Sequence, residues 1–313
     1  MAPIIFVIVC WSLYHKIINQ QNWENSLAQI KGSFITVSFW TACVLVIVNW
    51  GIEAIKWQLQ LAPLEKISFK TAFKSVLAGC SITMITPNRV GEYGGRIFYV
   101  KEENRLDAIP LTILGSMSQL FVTLVVGAAS LISMLYFSET VFTLKSFPAF
   151  TTSFVLYLSI FGAAFLLLAY LRVSLIVKFL SKFRFLQKIV AHIILLNAFS
   201  RKQLLRILFL SFLRYSIFIL QYILLLKAMQ VQIDFVTTFK LLAIFYLIMA
   251  MAPTFGFLEL PIRAAASVEV LQLYSSNVVG IQGAAFAIFF INLVLPAIIG
   301  SVLIFGIKIL KEK

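Results

Sequence analysis

Charge is the scarcest property of this sequence. Only 12% of its 313 residues are charged, 61% are hydrophobic, and mean hydropathy is +0.98. Soluble domains carry about a quarter charged residues, so the composition excludes an ordinary water-soluble domain. Cysteine, histidine and aspartate are nearly missing too. Cys10, Cys43 and Cys80 all fall inside apolar runs, where they read as small buried hydrophobes rather than a disulfide or zinc framework. His15 and His192 are far apart, and Asp107 and Asp234 are the only aspartates. No H-E-x-x-H helix occurs, and no G-x-x-x-x-G-K-[ST] phosphate loop, which argues against a zinc hydrolase and against ATP hydrolysis by this chain. No convincing Ser/His/Asp set can be assembled. The expectation is therefore a protein with no metal, no cofactor and no catalytic constellation.

Long apolar runs are abundant instead. They lie at about 3–18, 34–57, 69–86, 107–136, 148–171, 204–229, 235–252 and 278–308. A bilayer is crossed by roughly 20 apolar residues as helix, so the chain reads as an all-α polytopic membrane protein. The first run lacks the basic flank and small-residue cleavage site of a secretory signal, and reads as a short first span. The net charge of +14 could suggest nucleic acid, but the basic residues flank apolar runs, so orientation and anionic lipid explain them better. Residues 172–206 carry Arg172, Lys178, Lys182, Arg184, Lys188, Arg201, Lys202 and Arg206 with no acid, which places that stretch in the cytoplasm. Within it, 174–196 reads as a basic amphipathic helix lying in the membrane interface and anchoring the two halves.

Counting outward from that anchor puts both flanks of 69–86 on the cytoplasmic side. Such a segment enters the membrane and returns, turning around Thr86-Pro87-Asn88. The same count makes 235–252 a hairpin entering from the opposite side, with both chain termini cytoplasmic. Each half then reads span, span, broken hairpin, span: a first repeat over about 1–137 and a second over about 138–313, together one integral membrane domain. Three crossings per half invert the second copy relative to the first, an arrangement that points to a transporter-type site.

The two breaks share a motif. TPNRVGEYGGR (86–96) and APTFGFLELPIR (252–263) each hold a Pro (Pro87, Pro253), a Gly (Gly91, Gly256), a Glu (Glu92, Glu259) and an Arg four residues after the Glu (Arg96, Arg263). Pro ends a helix and Gly permits the tight backbone beyond it. The helix restarting after each break would present free N–H groups to a phosphate or carboxylate. Arg89, Arg96 and Arg263 add guanidinium forks suited to phosphate, and Glu92 and Glu259 could receive an amine or a coupling proton. The alternative is that each Glu and Arg form an i,i+4 ion pair that only steadies a short helix. Arg214, about ten residues into its span, faces the bundle interior, with either a substrate or a structural partner. Gln119 and Gln221 read as interhelical glue. Asn49 and Glu53 share a helix face, with Lys56 as an available partner for Glu53.

At these two motifs the sequence resembles the lysylphosphatidylglycerol synthase transmembrane region, a flippase-like family (UPF0104). TPNRVGEYGGR matches its T-P-x-R-x-G-E pattern and APTFGFLELPIRAA its later P-x-x-G-x-x-E pattern. The second departs by placing Phe where small residues are usual. The resemblance implies a multi-pass protein of the bacterial or archaeal inner membrane that moves a phospholipid or polyprenyl-linked lipid between leaflets. It also implies a stand-alone membrane domain without the aminoacyl transferase of longer members. The implied partners are membrane lipids, anionic or aminoacylated, with a second copy of the chain or an enzyme as protein partners and no nucleic acid. Two other classes stay open: a secondary transporter of a small soluble metabolite, and an accessory subunit of a lipid- or glycan-modifying enzyme.

Overall fold

A helix in an apolar setting must begin where its first N–H groups find other partners, and polar side chains supply them at several of the described starts. The computed structural model describes residues 30–84, 86, 90–137, 148, 150–172, 177–178, 181–183, 187–252 and 259–311. The expected first span, 3–18, lies outside them. Among the described residues the chain is helical and has no strand. The α-helices are α1 (Val37–Leu61), α2 (Phe69–Thr83), α3 (Gly91–Ile97), α4 (Arg105–Tyr136), α5 (Phe150–Leu171), α6 (Gln187–Ile193), α7 (Arg201–Ala228), α8 (Phe235–Met251), α9 (Glu259–Leu271), α10 (Val278–Phe289) and α11 (Leu295–Lys311).

Ser68 caps α2 by accepting from the Thr71 amide at 3.2 Å, Asp234 caps α8 from Thr237 at 2.8 Å, and Asn277 caps α10 from Gly280 at 2.9 Å. Before α7, Ser200 and Gln203 exchange bonds in a capping box. Among the described residues, five stretches are long and apolar enough to cross a membrane: Val37–Leu61, Glu102–Tyr136, Phe150–Leu171, Arg201–Ala228 and Val278–Phe305. The last is α10 and α11 joined through a π-helical turn, Phe290–Val294. By contrast α2 has 15 residues and α8 has 17.

Two compact units emerge, each drawn from separate stretches of chain. One comprises Met1–Ile47, Val125–Ser159 and Ser216–Leu295; the other comprises Val48–Leu124, Ile160–Tyr215 and Pro296–Lys313. For brevity they are the α8–α9 unit and the α2–α3 unit.

In the α2–α3 unit, α3 doubles back along α2. A Cβ at Gly91 would strike Ile82, and one at Gly95 would strike the backbone of Ala78 and Gly79. The Ser75 hydroxyl donates to the Arg96 carbonyl at 2.9 Å. Close backbone approach of this kind is what small residues allow between helices in lipid. α11 joins the same face: a Cβ at Gly300 would meet the Leu77 carbonyl, and Ser81 and Ser301 share a hydroxyl bond of 2.7 Å.

The α8–α9 unit packs with aromatic bulk instead. Tyr222 on α7 meets Phe245 on α8 edge-on at 5.5 Å, and its hydroxyl bonds Ser267 of α9 at 2.6 Å. Gln221 donates to the Ala42 carbonyl of α1 at 3.0 Å, the interhelical role expected of it. A Cβ at Gly127 would press on Leu247, so α4 lies close against α8.

Two expectations change. Hydropathy ends the second run at 57, but α1 continues to Leu61, so Lys56 and Gln60 stand inside the helix and are buried. The basic segment is not one helix over 174–196. Residues 181–183 form a turn, and the Ser181 hydroxyl bonds back to the Lys178 carbonyl at 2.9 Å, competing with the helical pattern. Helix resumes in this stretch as α6, followed by a 3-10 segment, Ile194–Ala198.

Candidate functional site

The polar residues of α1 recur at helical spacing. Asn49, Glu53, Lys56 and Gln60 follow one another at intervals of four, three and four, which lines them along one face. All four are buried, with Glu53 2% exposed and Lys56 1%. A lone carboxylate so deeply buried would be very costly unless paired and hydrogen-bonded. Glu53 is paired three times over. Its Oε2 lies 2.8 Å from Lys56 Nζ and 3.0 Å from Arg214 Nη1, and its Oε1 accepts from Arg96 Nη2 at 2.6 Å.

Arg96 reaches Glu53 because the glycine face of α3 lets its backbone lie against α2. The same Nη2 also donates to Glu92, one turn earlier on α3. Arg96 is 1% exposed, and its guanidinium stands over the Trp57 ring at 5.3 Å. Arg214 stands over Trp50 at 4.9 Å and donates from Nε to Asn49 at 3.1 Å. Lys56 makes a long contact of 3.5 Å with the Ser211 hydroxyl, which bonds Ser118 at 2.7 Å. The α2–α3 unit thus gathers three cations and two carboxylates from three helices, α1, α3 and α7, into one largely buried centre.

The α8–α9 unit holds a smaller counterpart. Arg263 Nη2 donates to Glu259 at 2.6 Å, both side chains are buried, and the guanidinium lies over Phe245 at 5.7 Å. The Arg263 carbonyl accepts from Ser267, the same residue that holds Tyr222. Both motifs therefore form their i,i+4 pair; Glu259, Arg263 and Arg96 are buried, and Glu92 is partly exposed.

Of the residues singled out by sequence, Gly91, Glu92, Arg96 and Arg214 come together in one unit, and Glu259 and Arg263 in the other. Pro87, Arg89, Pro253 and Gly256 lie outside the described residues. Sequence reasoning missed the centrality of Glu53, which it paired only with Lys56. The signal was present: a carboxylate and a lysine one turn apart inside a membrane-length apolar helix are costly enough to demand partners. It also missed the aromatic partners Trp50, Trp57, Tyr222 and Phe245, which nothing distinguishes from ordinary packing residues in so aromatic a chain. Outside the motifs, His192 of α6 pairs with Asp107 in the first turn of α4. No group of three or more His, Cys, Asp or Glu side chains that could hold a metal occurs among the described residues.

Asp234, outside the spans, has its carboxyl held below the usual range, chiefly by the Thr237 amide it accepts from.

Comparison with known proteins agrees with the motifs. The family described as "Lysylphosphatidylglycerol synthase TM region" matches residues 2–300, nearly the whole chain, and the chain belongs to that family. No curated protein and no solved structure gives a significant match.

Proposed function

We propose that this member of the lysylphosphatidylglycerol synthase TM region family is a lipid translocator rather than an enzyme, carrying phospholipid or polyprenyl-linked headgroups between the leaflets of a bacterial or archaeal plasma membrane. One observation carries the reading: a Glu–Arg pair with a buried arginine recurs directly after a helix too short to cross. At 1.5 Å per residue α2 is roughly 22 Å long and α8 roughly 26 Å, against a hydrocarbon core of about 30 Å. Buried charge at a helix interruption is where membrane carriers keep their substrate sites.

In this proposal α2–α3 and α8–α9 are re-entrant hairpins of two inverted repeats, entering from opposite sides, with both termini cytoplasmic. Three correspondences support the repeat. The Glu–Arg spacing is the same in both motifs. Each pair sits on the helix that follows a short one. In both motifs the arginine also meets the preceding short helix: Arg96 lies against Gly79 of α2, and Arg263 lies over Phe245 of α8. Headgroup phosphate would exchange with carboxylate for the guanidinium forks while the acyl or prenyl tails stay in lipid.

The test is leaflet exchange of labelled lipids in proteoliposomes, with anionic, zwitterionic and aminoacylated headgroups. Wild type is expected to exchange lipid well above empty liposomes, and Glu92→Gln and Glu259→Gln each to slow it at least about tenfold while remaining folded. Exchange no faster than in empty liposomes, with and without an imposed ion gradient, would contradict the proposal.

A further inference from the structure

A cavity in the α8–α9 unit uses neither motif. α4 and α8 press together at Gly127 and Leu247, and a space of about 470 Å³ opens between the later part of α4 and the first turns of α8. Its lining follows helical spacing on both sides. α4 contributes Val125, Ala129 and Ser133, each four residues apart, and α8 contributes Phe235, Phe239 and Lys240. Ala129 and Phe235 are exposed, and Lys240 is half-buried.

Two properties of this space select its occupant. The first is shape and polarity. The lining is apolar apart from two serines and Lys240, so filling it with apolar matter is favourable. The volume lies inside the range of about 300–1,000 Å³ that small-ligand pockets occupy. A partner helix about 10 Å across fills roughly 120 Å³ per residue, so the cavity takes only about one turn of it. A flexible acyl chain fits better than a second copy of this chain.

The second property is charge. Lys240 is the one charged group among the described residues that line the cavity, and it has no ion-pair partner among the described residues. Asp234, the cap of the same helix, gives its carboxylate to the Thr237 amide. A lysine within an apolar membrane segment is costly unless something negative meets it. Helical side chains lean toward the N-terminus, so Lys240 leans toward the start of α8, while Val125 lies deeper along α4. A molecule with an apolar chain and an anionic head matches both ends.

We infer that this groove holds one acyl chain of an anionic phospholipid, with the lipid phosphate on Lys240. Its leaflet rests on the translocation reading: in that topology α8 starts outside, which puts the groove in the outer leaflet. Binding itself stands on the cavity and the unpaired lysine.

The test uses the purified full chain, stripped of lipid in detergent and titrated with dioleoyl phosphatidylglycerol or dioleoyl phosphatidylcholine. Native mass spectrometry counts the bound lipids and reads their affinities. Ala129→Phe, at an exposed position of the lining, fills the groove and is expected to remove one bound lipid of either kind. For that lipid, wild type is expected to prefer phosphatidylglycerol about fivefold, the effect of one lysine at a phosphate. Lys240→Gln should bring the ratio to about one while the lipid still binds. If the lysine variant does not fold, Ala129→Phe serves alone. A lipid count unchanged in Ala129→Phe, or a preference unchanged in Lys240→Gln, would overturn the inference. So would an altered oligomeric state of Ala129→Phe at constant lipid count, which would make the groove a seam between copies. Failed leaflet exchange with groove binding intact would overturn the translocation reading alone. Normal exchange by a chain whose groove takes no lipid would overturn this inference alone.

Discussion

The two motif sites solve one placement problem with different packing. In the α2–α3 unit, Ala78, Gly79, Gly91 and Gly95 bring two helix backbones together, and the arginine is held by two carboxylates. In the α8–α9 unit Arg263 has its own glutamate and lies over Phe245, whose ring Tyr222 meets edge-on. In both, a glutamate one turn earlier and an aromatic face hold the guanidinium, Trp57 for Arg96 and Phe245 for Arg263. What differs is the second carboxylate, Glu53, and the close backbone packing around Arg96.

The comparison can be broken most severely at Glu53, the carboxylate that Lys56, Arg96 and Arg214 share. Glu53→Gln takes the shared countercharge from three buried cations and should cost about 3–5 kcal/mol, read as a large drop in thermal stability in detergent. Next comes Phe245→Ala, which empties the space beneath Arg263 and should cost about 3 kcal/mol by the same measurement. An effect no larger than that of a surface substitution would mean that the aromatic face does not hold the arginine. Third is Gly95→Ala, whose new methyl meets the backbone of Ala78 and Gly79 and should cost about 1–3 kcal/mol. Gly94→Ala, with nothing within 4 Å, should be neutral or slightly stabilising, and this neighbouring pair tests the close-approach argument within one helix turn.

The smallest effect belongs to the start of α8. Asp234→Ala removes the cap and should cost about 1 kcal/mol. The Asp234 carboxyl is held low in the folded chain, so its contribution is complete above the ordinary aspartate range. It fades as pH falls through the lowered folded value. Unfolding measured between neutral and acid pH should show the wild-type advantage over the alanine variant shrinking only at the acid end.

Much of this was legible in the sequence because hydropathy and helix breakers are local signals. The spans at 34–57, 107–136, 148–171 and 204–229 reappear as α1, α4, α5 and α7 with shifted ends, and the run at 278–308 as α10 and α11. The two short segments and their Glu–Arg pairs were equally visible. The Glu53 centre was only half visible, because Arg96 lies 43 residues away in sequence and Arg214 much further. Hydropathy averages such residues into their runs and cannot say which of them meet. The end of α1 was misjudged for a related reason: Lys56, Gln58 and Gln60 read as the end of a span, whereas Lys56, paired with Glu53 one turn earlier, and Gln60 are both buried within the helix. The aromatic contacts of Arg263 had no signal, since a Phe that supports a guanidinium is spelled like one that faces lipid.

The claim on which the rest depends is that the two hairpins enter the membrane from opposite sides. Single cysteines at Lys66, Lys101, Gln232 and Ser276, introduced after Cys10, Cys43 and Cys80 are replaced, flank the two hairpins at exposed positions. Labelling intact cells with a membrane-impermeant maleimide reads their side directly. The account predicts that Lys66→Cys and Lys101→Cys react only once the cytoplasmic face is opened, while Gln232→Cys and Ser276→Cys react from outside. If Lys66→Cys and Lys101→Cys lie on opposite sides, α2 and α3 together cross the membrane and the inverted-hairpin architecture is wrong.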